Sequence, residues 1–135
     1  MKPNLEKFLR RAMSAHQNGR FQEAEKIYRS IIRSHPKNGV ANHNLGVLKV
    51  RLGKASLALP HFQTALEADV NQHQYWISYI DALIKLNQIS NARKLLMQGR
   101  ERGLKGDAVD HFERQLSSNA KHNLVPSERA SELIS

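Results

Sequence analysis

The run NHNLGVLKVRLGKASLALPHFQTA, residues 42–65, decides the fold. Leu45, Val47 and Leu48 come at helical spacing, Gly53 interrupts them, and Leu57, Ala58, Phe62 and Ala65 resume the apolar stripe. A helix that stops at Gly and restarts within a few residues is half of a helical hairpin. Stepping outward by 34 residues finds the same hairpin on either side. Ala58 aligns with Ala24 and Ala92, Phe62 with Tyr28 and Leu96, and Ala65 with Ile31 and Gly99. Gly53 aligns with Gly19 and Asn87, and Ala55 with Phe21 and Ile89. Columns that agree at one period define three repeats, 5–38, 39–72 and 73–106, followed by 107–135.

Each repeat reads as two helices. Leu5, Phe8, Leu9 and Ala12 open the first, and Trp76, Ile77, Ile80, Leu83 and Ile84 open the third. Pro36 closes the second helix of the first repeat, because proline cannot continue a helix. Asn38, Asn71 and Ser90 are the expected N-caps. No stretch alternates with period two long enough for a strand. Small Ala24, Ala58 and Ala92 let two helices approach closely, with Ala12 and Gly46 opposite. One hairpin cannot bury its apolar face, so stacking must supply the core. Residues 107–118 are expected to cap the stack through Val109, Phe112 and Leu116. After a connector at 121–125, residues 126–135 read as the start of a further helix.

This pattern resembles the tetratricopeptide repeat, whose unit is about 34 residues. The likeness is fullest in Asn42 to Gly46 through Gly53, Ala58, Phe62 and Ala65. The first repeat departs with Arg11 at a position that is usually Leu, and the third with Ile80 at the small position. The resemblance implies an all-α, right-handed superhelical solenoid with a C-terminal capping helix, 1–135 forming one domain. It implies a non-catalytic protein-interaction scaffold that takes a peptide or helix in a concave groove lined by the first helices. The runs 75–83 and 99–106 are also similar to the N-terminal repeat regions of bacterial SPINDLY-type or O-GlcNAc-transferase-like glycosyltransferases and of sulfotransferases. That similarity implies an alternative role, positioning an acceptor protein for a transferase domain that this chain lacks.

The 34-residue register places Leu9 and Met13 of the first repeat in the groove, with His43, Asn44 and Val47 of the second and Gln74, Ile77 and Asp81 of the third. Glu6, His16, Val40, Val50, Ser78 and Ile84 fall on the same faces. This set is too apolar for a fully solvated surface. An occupant is therefore expected: a peptide partner, the C-terminal segment or a second copy of the chain. Chaperone-binding relatives clamp two carboxylates with Lys and Asn, and the matching positions here are Leu9 and Met13. The Asn ladder of O-GlcNAc-transferase-like solenoids has one rung, Asn44, since Arg10 and Ser78 stand at the others.

The 135 residues carry 21 Lys and Arg against 12 Asp and Glu, a formal net charge of +9. Twelve of those bases but only three of the acids lie in residues 1–54, which hold the whole excess. Lys26, Arg29, Arg33 and Lys37, spaced 3, 4 and 4, are expected to share one face of the second helix. Such a patch attracts nucleic acid or anionic lipid, a reading ranked below protein binding because the aromatics sit on packing positions rather than between the bases.

Zero cysteine excludes disulfides and thiolate chemistry. The seven histidines form no helical metal motif, and no nucleophile elbow is present. The glycine-rich run 99–106 lacks the Gly-Lys-Ser/Thr ending of a phosphate loop and follows no strand, so it reads as a helix stop and turn. No catalytic residue, metal or cofactor is expected. No apolar run reaches the roughly 18 residues of a membrane span, and no signal peptide is evident, so the expected location is the cytoplasm.

Overall fold

The structure, a computed structural model, describes residues 4–118. Six helices follow in order: α1 (Leu5–Gln17), α2 (Phe21–Ser34), α3 (Gly39–Arg51), α4 (Ala55–Ala68), α5 (His73–Lys85) and α6 (Ile89–Glu101). A seventh, α7, covers 107–118. No strand occurs among the described residues. Consecutive helices pack pairwise, and α1, α3 and α5 also touch in series. The result is an all-α solenoid. The further helix expected at 126–135 and its connector lie outside the described residues.

The turn inside each hairpin is the same device three times. Gly19 and Gly53 have φ of 78° and Asn87 has φ of 59°, all left-handed. Glycine adopts that region without cost and asparagine tolerates it. The caps follow the sequence less closely. Asn38 caps α3, its Oδ1 accepting from Ala41 N at 2.8 Å. Gln72 and Gln88 precede α5 and α6 without a side-chain cap bond, so Asn71 and Ser90 are not the caps. Asn71 lies in a turn where its N–H donates to Asp69 Oδ1 (3.0 Å), and Ser90 is already in the first turn of α6.

Side-chain volume is traded across each hairpin. A Cβ added to Gly46 would lie 2.5 Å from Cε1 of the buried Phe62 ring, so only glycine fits opposite that phenyl. By the same register Ala12 stands opposite Tyr28, and Ile80 opposite Leu96. The departure at Ile80 is thus matched by a smaller residue facing it. Leu104, Val109, Phe112 and Leu116 bring α7 and the preceding turn into the same core as Trp76, Ile80 and Leu96. This apolar burial, at roughly 25 cal/mol per Å² of area removed from water, is what holds the stack.

Candidate functional site

The face shared by α3 and α5 carries a cleft of about 400 Å³. Val47 and Val50 form one wall, Phe62 the floor, and Ser78, Asp81 and Lys85 the other wall. Arg51 closes the end nearer α1, its guanidinium carbon 5.7 Å from the centroid of the Phe21 ring. Asp81 pairs with Lys85 at 2.8 Å. The cleft therefore offers an apolar centre, a rim cation in Arg51 and an ion pair in Asp81–Lys85.

Of the eight groove residues expected from the register, Val47 and Asp81 meet in this cleft. Met13 stands on α1, 38% exposed, and Leu9 is half-buried against the first core cluster. Ile77 is half-buried against the third hairpin's core, and Gln74 is exposed. The expected His43 is not a free groove side chain. It is 8% exposed, with Tyr75 and Phe62 rings 4.8 and 5.8 Å away. Burial pushes its pKa down, so the ring is neutral near pH 7. Asn44 Oδ1 faces Nδ1 at 3.3 Å, so Nδ1–H donates there and Nε2 accepts from the Ser78 hydroxyl at 2.7 Å. His43 is a strut between α3 and α5. Asn44, half-buried, holds the strut's tautomer.

A hydrogen-bonded Ser–His pair invites a nucleophile reading. Ser78 sits in the middle of α5, where backbone N–H groups are committed to the helix. Gln74 Nε2 donates to Ser78 Oγ at 3.3 Å, completing a polar bridge of His43, Ser78 and Gln74. Among the described residues no group of three His, Asp or Glu is gathered as for a metal ion.

Two groove residues escaped the sequence reading: Arg51 and Lys85. They were legible as bases 34 residues apart at the ends of successive first helices, where the helix dipole also favours a cation.

The basic patch is rearranged. Lys26, Arg29 and Arg33 are exposed on α2, but α2 ends at Ser34 and Lys37 lies in the following turn, off that helix. Arg29 pairs with Glu25 at 3.2 Å. Lys49, counted among the surface bases, is 5% exposed and forms a close ion pair with the same carboxylate. The bond to Lys49 holds the Glu25 carboxyl below its ordinary range. Phe8, expected on a packing position, is 38% exposed because no described helix precedes α1.

Residues 15–77, from the end of α1 into α5, match the family model of the tetratricopeptide repeat. Solved structures agree over a longer span. The first such domain of Spaghetti (RPAP3), bound to the HSP90 peptide SRMEEVD, superposes with a TM-score of 0.78 at 17% identity, covering 86% of this chain and 92% of that one. The fold is that of the tetratricopeptide repeat. The TPR2B domain of yeast Sti1 in its pHsp70 complex gives 0.76 at 18% identity, over 85% and 97% of the two chains. A tetratricopeptide repeat protein from Parabacteroides merdae gives 0.79 at 22%, over 93% of this chain and 49% of that one. No curated protein matches the sequence. The tetratricopeptide arrangement puts α1, α3 and α5 side by side, which is why one cleft draws on two hairpins. No described helix is long and apolar enough to cross a membrane.

Proposed function

We propose that this chain is a non-catalytic binding module that holds a peptide or helix in the cleft between α3 and α5. The observation that carries the reading is Val47 and Val50 beside the cation Arg51 in one concavity, with the Asp81–Lys85 ion pair on the opposite wall. An apolar centre with a charged rim suits an apolar side chain flanked by acids. The peptide-bound state of one structurally similar domain and the pHsp70 complex of another support the same mode. The partner need not be theirs, because Leu9 and Met13 stand where a carboxylate clamp would have Lys and Asn. The acceptor-positioning alternative has one residue behind it, Asn44, and that side chain is engaged by His43. Nucleic-acid or lipid binding loses Arg29 and Lys49 to Glu25.

The test compares affinity capture from native lysate by the parent chain and by the double variant Met13→Glu, Val47→Glu. Loss of the captured species with an unchanged helical circular dichroism spectrum is expected. Equal capture by the two proteins excludes the cleft.

A further inference from the structure

A second furrow of about 380 Å³ lies at the start of the solenoid, between α1 and α2. Phe8, Arg11, Ile27, Ser30 and Arg33 line it. Another furrow, of about 460 Å³, lies between α5 and α6, lined by Trp76, Tyr79, Leu95, Gln98 and Glu101. These five pairs correspond at a separation of 68, two repeat lengths, while Arg102 lines only the inner furrow. They are the same structural position, once at the end of the stack and once inside it.

The inner copy shows what such a furrow accepts. Its second wall is the end of α4 and the turn after it: Gln63, Leu66 and Glu67 come from the helix and Val70 from the turn. Leu66 is buried there in the core that contains Trp76. The pattern is the last turns of an amphipathic helix, with a buried aliphatic side chain and a carboxylate beside it, and a second aliphatic just past the helix end. No described helix occupies that place against α1 and α2, and Phe8 is left 38% exposed.

Two differences set the chemistry of the outer furrow. Arg11 replaces Tyr79, and Arg33 replaces Glu101. Lys26 adds a third cation, against Glu23 as the one acid in the lining. An aromatic and a carboxylate have become two guanidiniums around an apolar floor of Phe8, Ile27 and the buried Ile31.

We infer that this furrow docks an acidic amphipathic helix of a partner protein, in the place that α4 takes against the third hairpin. The occupant lays Leu or Val on Phe8 and Ile27 and sets carboxylates against Arg11, Lys26 and Arg33. This accounts for part of the N-terminal positive charge as the rim of an apolar site. It does not depend on the α3–α5 cleft.

The probe is a fluorescein-labelled helical peptide of roughly 16 residues, about 24 Å long. It carries Leu and Val four apart, flanked by Glu, and a second peptide has Lys for every Glu. Fluorescence anisotropy at low salt should show saturable binding of the Glu peptide, with the Lys peptide weaker by tenfold or more, about 1.4 kcal/mol. Phe8→Glu should abolish binding, and Lys26→Glu with Arg33→Glu, both on exposed positions, should weaken it at least tenfold with an unchanged far-ultraviolet spectrum. Val47→Glu should leave it intact, which separates this furrow from the cleft.

No binding of the Glu peptide, or equal binding of the two peptides, overturns the proposal. So does loss of binding in Val47→Glu but not in Phe8→Glu. Sedimentation of the chain alone should show a monomer, and a dimer abolished by Phe8→Glu would make a second copy the occupant instead. A single-stranded oligonucleotide that binds the parent chain and Phe8→Glu equally, and displaces the Glu peptide, would assign the cations to phosphate.

Discussion

At the joint between the first two hairpins, Asn42, Lys49 and His61 occupy positions that, one repeat on, are held by Trp76, Leu83 and Leu95. The first joint is built from directional bonds. Asn42 Nδ2 donates to Pro36 O (3.0 Å) and Asn38 O (2.8 Å), while its Oδ1 accepts from His61 Nδ1 at 3.0 Å. Glu25 of α2 receives the buried Lys49 of α3. The second joint is built mainly from packing, with two polar contacts: Trp76 Nε1–H donates to Val70 O at 2.8 Å, and the Ser78 hydroxyl donates to His43 Nε2 at 2.7 Å. Both keep the same helical scaffold. Apolar burial stabilises in proportion to area, whereas a buried polar network contributes little net energy but costs much when half of it is removed.

The largest expected effect breaks the apolar joint. Trp76→Ala should lower the unfolding free energy by about 3–5 kcal/mol, read by urea titration of helical circular dichroism. At the polar joint, Lys49→Ala should cost about 2 kcal/mol, because Glu25 keeps Arg29 as a partner. Lys49→Leu combined with Glu25→Leu, which copies Leu83 and Leu59, should restore stability to the parent value or above. A double-mutant cycle of the parent, Lys49→Leu, Glu25→Leu and the pair reads the coupling directly. Between the joints, Gly46→Ala should cost about 1 kcal/mol net, since the clash with Phe62 outweighs the helix propensity gained. Gly99→Ala should cost less, as its nearest neighbour is the tip of the Leu104 side chain.

The gentlest effect is titration. His61 is held below its ordinary pKa by burial and then by Lys49 and Arg29, His43 by burial, and His16 by burial and Arg51. A histidine whose pKa falls on folding binds protons less readily folded than unfolded. Stability is therefore full above the ordinary value near 6.5 and drains as the pH falls below it. The thermal midpoint should drop between pH 7.5 and 5.5, and His61→Leu should reduce the drop by making the first joint resemble the second.

The helical hairpins were legible because the 34-residue period repeats in many columns at once, and because Gly19, Gly53 and Asn87 mark one turn three times. The polar joint was not. Lys49 reads as a surface base in any composition, and only the approach of α2 brings Glu25 to it. His43 falls on the concave face by register, yet the closeness of α5 decides that its ring is buried against Ser78. The caps failed for a local reason: Asn71 and Ser90 have the right chemistry, but Asn71 sits one residue before the cap position Gln72 and Ser90 two residues after the cap position Gln88. Phe8 falls on a packing column by register, but no described helix precedes α1 to cover it.

Trp76 is the only tryptophan in the chain, and it is 3% exposed. Its fluorescence therefore reports on one joint alone, while circular dichroism sums all the helices. A solenoid whose units touch only their neighbours can fray from one end. Loss of ellipticity ahead of the tryptophan red shift would mean that the first hairpin unravels while the third still stands. Coincident curves would mean that the two joints, polar and apolar, melt as one cooperative body.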